Sequence, residues 1–469
     1  MSNKEKIKHI HILGVCGTFM GGVAILARQM GCYVTGSDLN IYPPMSSNLE
    51  QHGVDILDGY CIADIPDGVD EFIIGNCMTR GMPIIEHILS HQLQYDSGPS
   101  WLYNNILRHK NVIAVAGTHG KTTTTSMIIH ILQDLGMDPS FLVGGVSLGL
   151  NVTANLTDSD YFVIEADEYD TAFFDKRSKF QHYKPKTLII NNLEFDHADI
   201  FDTIYDIKKQ FHHLIRMMPI EASIIYPSYD KNIQDVLAMG CWSKTYPYLL
   251  LEVESEVTDL PSWQYWSKKD DGSHMGFSCV LGKAELSWRH IGYHNMQNAM
   301  SAIVAVSCEG VPLDKSVTSL QSFQGVKRRM EVIFSSKNIM VYDDFAHHPT
   351  AIKKTVLSLR AKIGMDKMIV IFEPRSNTMK MGVHQSSLSQ SFHGVDELFV
   401  LTSRGVGFSF DRLAADVDGA CFLYETVDDI VYDVMERIEG KTHILIMSNG
   451  GFGGIHDKLT NLLAPIVSN

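Results

Sequence analysis

The stretch AVAGTHGKTTTTS, residues 114–126, decides the fold of the central part of this chain. The apolar run NVIAVA at 111–116 predicts a buried strand that enters a glycine-rich turn, and a helix is expected over 122–135. In such a turn, backbone N–H groups and the helix N-terminus bind phosphate oxygens. Lys121 can neutralise the β and γ phosphates, and the Thr122 hydroxyl can bind Mg²⁺. Val115 replaces the first glycine of GxxxxGK[ST], so the match is to the shorter GxxGKT. The stretch predicts a nucleotide site but not a reaction.

The 469-residue chain has an ordinary globular composition and is acidic. Its 39 basic and 54 acidic side chains give a net charge of -15, which argues against nucleic acid or an anionic membrane as a partner. The eight cysteines are scattered without a CxxC pair, so neither a disulfide framework nor a zinc ribbon is expected. Glycines interrupt the one uncharged stretch that resembles a signal peptide. We therefore expect a soluble, cytoplasmic protein.

Short apolar runs alternate with helix-compatible stretches along the whole chain, which predicts an α/β fold with open, mostly parallel sheets. Strands are expected at 9–13, 161–164, 187–190, 223–226, 339–342, 368–372, 397–401 and 443–447. The stretch 246–288 predicts a small antiparallel excursion. We expect three domains: an N-terminal Rossmann-like domain over 1–109, a central P-loop mononucleotide-binding sheet over 110–325, and a C-terminal Rossmann-like domain over 326–469.

A cluster of carboxylates follows the strand in VIEADEYD, residues 163–170. The strand delivers Glu165, Asp167 and Glu168 to its C-terminal end. Clustered carboxylates repel one another unless cations compensate them, so a hard metal ion is their natural partner in a nucleotide site. A solvated acidic turn is the alternative.

The segment NNLEFDHAD, residues 191–199, also follows an apolar run and offers Asp196 and His197. A lone histidine is more often structural than a metal ligand. However, the carboxyl ends of neighbouring parallel strands meet at one edge of a sheet. Strand ends that present Thr122, Glu165 and His197 therefore favour a metal–nucleotide centre over unrelated features.

The first glycine-rich turn, GVCGTFMGG at 14–22, has the pattern GxxGxxxGG. It departs from the dinucleotide fingerprint GxGxxG because Cys16 occupies the second glycine position, although Asp38 falls near the place of a ribose-binding acid. A nicotinamide-dependent dehydrogenase stays open as an alternative, and a helix N-terminus that binds another diphosphate is equally allowed. A nucleotide-switch binding protein could use the same P-loop.

Basic side chains in the last third could reach a substrate across a domain cleft. FEPRSNT, residues 372–378, follows a strand and contains Arg375, which can bind a carboxylate through two hydrogen bonds. The candidates for phosphate contacts are Lys327, Arg328 and Arg329. Each of them could equally be an ordinary surface salt-bridge residue.

Two further motifs in the last third have no clear ligand. DDFAHHP, residues 343–349, contains the tandem His347 and His348, but a metal is not expected because no third ligand stands at a suitable spacing. SNGGFGG, residues 448–454, is a glycine loop after a strand, and the sequence assigns it no role.

In their order along the chain, these motifs resemble the Mur ligase family from end to end. They are GxxGxxxGG, GTHGKTTTT, EADE, a DH pair after NN, GYHNMQNAMSA, GVKRRMEV and DDFAHHPT. The resemblance implies an ATP-dependent ligase that uses Mg²⁺, activates the carboxylate of UDP-N-acetylmuramate as an acyl phosphate and joins it to an amine. Such an enzyme would be a monomer or a homodimer.

Residues 165–180 and 373–382 resemble a particular group within the family. Its members attach the murein tripeptide L-alanyl-γ-D-glutamyl-meso-diaminopimelate during cell-wall recycling. The alternative is the group of biosynthetic members that add free L-alanine.

The resemblance also implies roles for individual residues. The residues on UDP would be Gly14, Gly17, Ser37 and Asp38, with His119 near the muramyl carboxylate. The residues on ATP would be Gly117, Thr118, Gly120, Lys121, Thr122, Thr123, Asn295, Asn298, Arg328 and Asp344. Thr122 would bind one Mg²⁺, and Glu165 with His197 a second.

On the acceptor side, Arg375 would bind a peptide carboxylate and His348 would lie near the reacting amine. The implied catalytic residues are therefore Lys121, Glu165, His197 and His348. Lys209 lies near the place where some relatives carry a carbamylated lysine, but no such role is assigned to it.

Overall fold

The computed structural model describes residues 7–150, 152–196, 198, 200–254, 261–375, 379, 385–402, 407 and 409–467. Within these residues the chain forms large, mainly parallel sheets in succession, each packed against helices. The α/β prediction is confirmed. In the described part of the chain, none of the helices has the length and apolar character that crossing a membrane requires.

The first sheet is parallel throughout, in the order β3-β2-β1-β4-β5. Its strands are β1 (His9–Leu13), β2 (Tyr33–Asp38), β3 (Asp55–Asp58), β4 (Glu71–Ile74) and β5 (Tyr95–Ser97). Its helices are α1 (Thr18–Gln29), α2 (Met45–Gln51), α3 (Pro83–Ser90) and α4 (Gly98–Asn105). Strand β1 is buried along its whole length because helices cover both faces of such a sheet. The glycine turn at 14–17 leaves this strand at its carboxyl end.

The central sheet has the order β17-β16-β15-β14-β13-β12-β6-β9-β7-β8. Its strands are β6 (Asn111–Ala116), β7 (Ser140–Leu142), β8 (Ala154–Asn155), β9 (Tyr161–Glu165), β12 (Thr187–Ile190), β13 (Ser223–Pro227), β14 (Lys244–Leu251), β15 (Trp263–Ser267), β16 (His274–Cys279) and β17 (Gly282–Ser287). A separate antiparallel hairpin consists of β10 (Asp170–Ala172) and β11 (Asp175–Ser178). The helices are α5 (Lys121–Asp134), α6 (Ile204–Ile215), α7 (Lys231–Ala238), α8 (Tyr293–Cys308) and α9 (Leu313–Gln321).

The stretch 246–288 differs from the expected antiparallel excursion. Strand β14 pairs in parallel with β13, and β15 pairs in parallel with β14. Antiparallel pairing begins only at β16 and continues to β17. The stretch therefore widens the central sheet rather than forming a unit of its own.

The last sheet has the order β18-β19-β23-β20-β21-β22 and is parallel except for β18. Its strands are β18 (Glu331–Ser335), β19 (Ile339–Asp344), β20 (Lys367–Phe372), β21 (Glu397–Leu401), β22 (Ala420–Tyr424) and β23 (Thr442–Met447). Its helices are α10 (Pro349–Ile363), α11 (Gln385–Leu388), α12 (Phe410–Asp416), α13 (Val427–Glu436) and α14 (Ile455–Val467). The motifs DDFAHHP and SNGGFGG follow β19 and β23, which are neighbours, so the sheet brings them to one edge.

Candidate active site

The turn between β6 and α5 has the geometry of a phosphate-binding loop. Gly117 has φ of +124°, and a Cβ at this position would lie 2.9 Å from the carbonyl oxygen of Asn192, so only glycine fits. Thr118 follows it in the turn and donates its hydroxyl to the carbonyl of Glu194, 3.3 Å away. Helix α5 then begins at Lys121 without a side-chain cap on its N-terminus. Its first N–H groups are therefore available to an anion.

Lys121 is held among carboxylates. Its Nζ donates to the carbonyl oxygen of Gly117 at 2.7 Å and to Glu168 Oε2 at 3.2 Å. Burial alone would lower the pKa of Lys121, but the charges of Glu168, Asp167 and Glu165 raise it above its ordinary value. The ammonium is thus kept charged beside the loop.

Thr122 and Glu165 form an oxygen-rich pair. The Thr122 hydroxyl lies 3.0 Å from Glu165 Oε2, which also accepts the Gly144 N–H at 2.8 Å. Burial raises the pKa of Glu165 although Lys121 opposes the shift. A hydroxyl and a carboxylate are hard oxygen ligands of the kind that Mg²⁺ prefers, so these residues fit that ion. His197, the third expected ligand, lies outside the described residues.

The parts of the chain that form the first, central and last sheets are here called the first, central and last segments. A cavity of about 600 Å³, here called cavity B, is lined by residues of all three segments. The central segment contributes Thr118, His119, Gly120, Lys121, Thr122 and Glu165. The first segment contributes Thr18, Asn40 and Tyr42, and the last contributes Arg328, Arg329 and His348. Motifs that are hundreds of residues apart in the chain therefore face one space.

Three titratable side chains meet where the central and last segments touch. His119 Nε2 lies 3.2 Å from His348 Nδ1, and Glu194 Oε2 lies 3.7 Å and 3.8 Å from these two atoms. The Thr350 hydroxyl donates to the same carboxylate oxygen at 2.6 Å. Burial would raise the pKa of Glu194, but its contacts with His119, Thr350 and Lys354 lower it to about 2. The carboxylate is therefore ionised at neutral pH.

A second space, cavity A, measures about 450 Å³ and lies between the first sheet and the central sheet. Gly14, Gly17 and Asp38, which the resemblance places on UDP, line it. Asp38 also fixes the turn, because its carboxylate accepts the N–H groups of Cys16 at 2.8 Å and Asn40 at 2.9 Å.

Ser37 is not among the described residues that line cavity A. It is buried, and its hydroxyl lies 3.0 Å from Nε2 of His11. Burial lowers the pKa of His11 to about 4, so the ring is neutral at pH 7. The backbone carbonyl of Ser37 accepts the N–H of Gly14 at 2.9 Å. Ser37 therefore stabilises the glycine turn through its backbone carbonyl.

Cavity C, of about 70 Å³, adjoins the N-terminus of α5. It is lined by residues expected on ATP, namely Gly120, Thr123, Asn295, Asn298 and Asp344. Asp344 is buried and accepts the N–H groups of Met330 and Ala346 at 2.8 Å and 2.9 Å.

Arg328 and its neighbour Arg329 differ in their surroundings. Arg328 lines cavity B, but its guanidinium is bonded to Asp343 at 3.2 Å and to the carbonyl of Ser448 at 2.7 Å. Arg329 lines both cavity B and cavity C. Arg328 has φ of +59°, so the chain turns sharply between the two side chains.

Arg375 is exposed and is not among the described residues that line cavities A, B or C. Its side chain lies over Gly450, where an added Cβ would come 2.6 Å from Arg375 Cδ. The 448–454 loop thus contacts Arg375, because Gly450 has no side chain that would keep the arginine away. The Ser448 hydroxyl, in turn, donates to Glu373.

The sequence does not indicate Glu194 or Lys179 as site residues, and it indicates Arg329 only as one of several basic candidates. Glu194 stands in the NNLEFDHAD motif, in which Asp196 and His197 are the predicted site residues. Arg329 is one of three consecutive basic residues, and spacing cannot say which of them faces the cavity. Lys179, which lines cavity A, stands in the stretch 165–180, whose resemblance to a group within the family assigns this lysine no role. Chain position alone gives no signal for it.

Three family profiles match the chain in succession. They are the Mur ligase family catalytic domain over residues 9–110, the Mur ligase middle domain over 115–306, and the Mur ligase glutamate ligase domain over 328–450. The chain belongs to the Mur ligase family. Members of this family form amide bonds in an ATP-dependent reaction. Membership decides against the dehydrogenase and nucleotide-switch alternatives.

This Mur ligase is similar to relatives of nearly equal length. The UDP-N-acetylmuramate–L-alanyl-γ-D-glutamyl-meso-2,6-diaminoheptandioate ligase of Haemophilus influenzae is 45% identical over 459 residues, which cover 97% of this chain and 99% of that one. The ligase of the same name from Escherichia coli is 47% identical over 461 residues, with 97% and 98% covered. A crystal structure of a murein peptide ligase from Psychrobacter arcticus matches with a TM-score of 0.73 and 43% identity, covering 98% and 99% of the two chains.

Proposed function

We propose that this Mur ligase joins the tripeptide L-alanyl-γ-D-glutamyl-meso-diaminopimelate to UDP-N-acetylmuramate, with ATP as the energy source, in cell-wall peptide recycling. The observation that carries the ligase reaction is cavity B, where side chains from all three segments face one space. The tripeptide acceptor is supported by the identity, over nearly the whole chain, to two ligases named for it. Since ATP and sugar nucleotides are cytoplasmic, we propose that the reaction takes place there.

The three segments have separate tasks in this proposal. Residues 1–109 bind the UDP-sugar in cavity A, 110–325 bind ATP, and 326–469 bind the acceptor. The ATP phosphates are assigned to the turn at 117–120 and to Lys121, and the adenosine to cavity C. The N-terminus of α5, which has no side-chain cap, and the charged ammonium of Lys121 support the phosphate assignment, because both attract anionic oxygens.

Thr122 would hold one Mg²⁺, and Glu165 with His197 would hold a second. When bound, such ions neutralise charge on phosphoryl oxygens during transfer. Lys121 supplies further positive charge at the same place. The Thr122 hydroxyl and the Glu165 carboxylate support the assignment because both are hard oxygen ligands and their oxygens lie 3.0 Å apart.

The proposed chemistry has two steps. The lactyl carboxylate of muramate, near His119, attacks the γ-phosphorus, so that ADP leaves and an acyl phosphate forms. The tripeptide amine then attacks the acyl carbon, and inorganic phosphate leaves from the tetrahedral intermediate. His348 is proposed to accept the amine proton, and Arg375 to bind a carboxylate of the peptide. In this proposal, the contact between His119 and His348 holds the central and last segments together beside the acyl phosphate, which water would hydrolyse.

Acceptor-dependent phosphate release tests this function. The enzyme is incubated with ATP, Mg²⁺ and UDP-N-acetylmuramate, and either the tripeptide or L-alanine is added. We expect turnover to prefer the tripeptide. Preference for free L-alanine would instead assign the biosynthetic reaction, and release that ignores both acceptors would refute the ligase proposal.

A further inference from the structure

Lys179 is a buried cation in the wall of cavity A. It follows β11 directly, and only 8% of the residue is exposed. Its backbone N–H donates to the carbonyl of Tyr169 at 2.9 Å, which fixes the chain at this point. Its ammonium lies 5.6 Å from the ring centroids of both Phe19 and Tyr169. Because Phe19 belongs to α1, this lysine extends from the central segment to the first.

The charges around cavity A make this lysine unusual. Among the described residues that line the cavity, the carboxylates are Asp38, Glu165 and Asp167, and Lys179 is the one lysine or arginine. Asp38 and Glu165 are already bonded to backbone N–H groups of neighbouring turns. Near Asp38 and Asp167, an anionic ligand would meet negative charge that this ammonium offsets.

The ammonium has donors to offer. Of its three N–H groups, one is accounted for within the described residues by Asp167 Oδ2, at a long 3.4 Å. The aromatic rings on two sides restrict the side chain and are compatible with a cation. A buried, restricted ammonium loses little side-chain entropy when it binds a ligand.

We propose that Lys179 binds the diphosphate of the sugar nucleotide in cavity A. Phe19 is in the first turn of α1, and Gly17 at its N-cap provides no side-chain bond, so the helix N-terminus faces the same space. A diphosphate between the two would receive N–H groups from the first segment and an ammonium from the central one. The inference rests on the proposed function, because it takes the ligand of cavity A to be a sugar nucleotide.

The test measures Kd by calorimetry for UDP, UDP-N-acetylglucosamine and UDP-N-acetylmuramate. The variants are Lys179→Met and Lys179→Arg, with Lys176→Met as the matched control. Lys176 is on the same hairpin, but its side chain is 70% exposed and paired with Asp170. We expect Lys179→Met to weaken all three ligands at least tenfold and by similar factors, and Lys179→Arg to restore part of the affinity. The control should stay within twofold of the wild type.

The outcomes separate this inference from the function it rests on. Unchanged UDP binding by Lys179→Met would overturn the inference, and so would a loss confined to UDP-N-acetylmuramate, which would assign the lysine to the lactyl carboxylate. Failure of the wild type to bind any of the three ligands would refute the UDP-sugar assignment of cavity A itself. Thermal unfolding midpoints of the variants, if equal to that of the wild type, exclude misfolding as the cause of weaker binding.

Discussion

His119 Nε2 and His348 Nδ1 lie 3.2 Å apart although 229 positions separate them in the chain. The first histidine belongs to the phosphate-binding turn and the second precedes α10 in the last segment. Glu194 and Thr350 connect the same two segments beside them. This contact therefore joins the proposed ATP-binding and acceptor-binding parts of the enzyme.

Glu194→Gln tests the charge at this contact. Glutamine keeps the shape and can still accept the Thr350 hydroxyl, but the negative charge between the histidines is lost. A hydrogen bond to a charged group is worth about 1.5–3 kcal/mol, so we expect kcat/KM for the tripeptide to fall roughly 10- to 100-fold. UDP binding should not change. Glu436→Gln, at an exposed helix end, is the control, and steady-state kinetics within twofold of wild type for Glu194→Gln would contradict the role.

Lys121→Ala removes the ammonium from the phosphate-binding turn. We expect acyl-phosphate formation to slow roughly a thousandfold or more, since each tenfold loss of rate corresponds to about 1.36 kcal/mol of barrier. Single-turnover formation of ADP measures this step. Because the change also removes the buried ion pair between Lys121 and Glu168, the variant's unfolding midpoint must be compared with that of the wild type. Turnover within tenfold of wild type would rule out the proposed role.

Gly450→Ala tests the placement of Arg375. The added methyl group would come 2.6 Å from Arg375 Cδ and so must displace the arginine. If this side chain binds the acceptor carboxylate, we expect KM for the tripeptide to rise about tenfold, whereas KM for ATP stays constant. Gly451→Ala is the matched control, because nothing lies within 4 Å of a Cβ there. Equal KM values of the two variants for the tripeptide would show that Arg375 does not bind the acceptor.

Buried histidines predict a loss of stability in acid. Burial lowers the pKa of His11, His290 and His347 to about 4 and that of His294 to about 3. Below about pH 6.5 these rings take up protons in the unfolded chain but not in the folded one, so the unfolded state binds more protons. The free energy of unfolding therefore falls from about pH 6.5 down to about pH 4, by up to about 1.4 kcal/mol per pH unit for each ring.

Urea-unfolding midpoints between pH 8 and pH 4.5 measure this effect. The midpoint should be flat above pH 7 and should decline below pH 6.5. His11→Gln should reduce the slope, and His109→Gln, at an exposed position, is the control substitution. A midpoint that rises toward acid would contradict the prediction.

The central strands could be predicted closely from the sequence. Strand β1 at His9–Leu13, β6 at Asn111–Ala116, β12 at Thr187–Ile190 and β21 at Glu397–Leu401 have the expected bounds. Strands in parallel sheets are buried on both faces, so each is an uninterrupted apolar run that a polar or glycine turn ends. The α/β architecture and the phosphate-binding turn follow from such local signals.

The features that could not be predicted from the sequence depend on contacts between residues that are far apart in the chain. Strands β14 and β15 carry alternating or mixed residues, and pairing direction is not encoded in a single strand. Arg328 and Arg329 are adjacent in the chain, yet a turn of the backbone with positive φ gives them different surroundings. Glu194 becomes notable only when Thr350, more than 150 positions away, is brought to it. Such relationships arise from packing between segments.

The walls of cavity B come from three segments, and the contact between His119 and His348 joins two of them. In the proposed reaction, any separation of these segments that releases product would have to break this contact once in every catalytic cycle. The hydrogen bond from Thr350 to Glu194 connects the same two segments, so it would oppose that separation as well. Stronger contacts between these two segments would keep water out longer but would delay departure of the ligated sugar nucleotide. The strength of this polar cluster therefore affects both the hydrolysis of the acyl phosphate and the rate of product release. Substitutions that stabilise the closed enzyme are expected to make it slower.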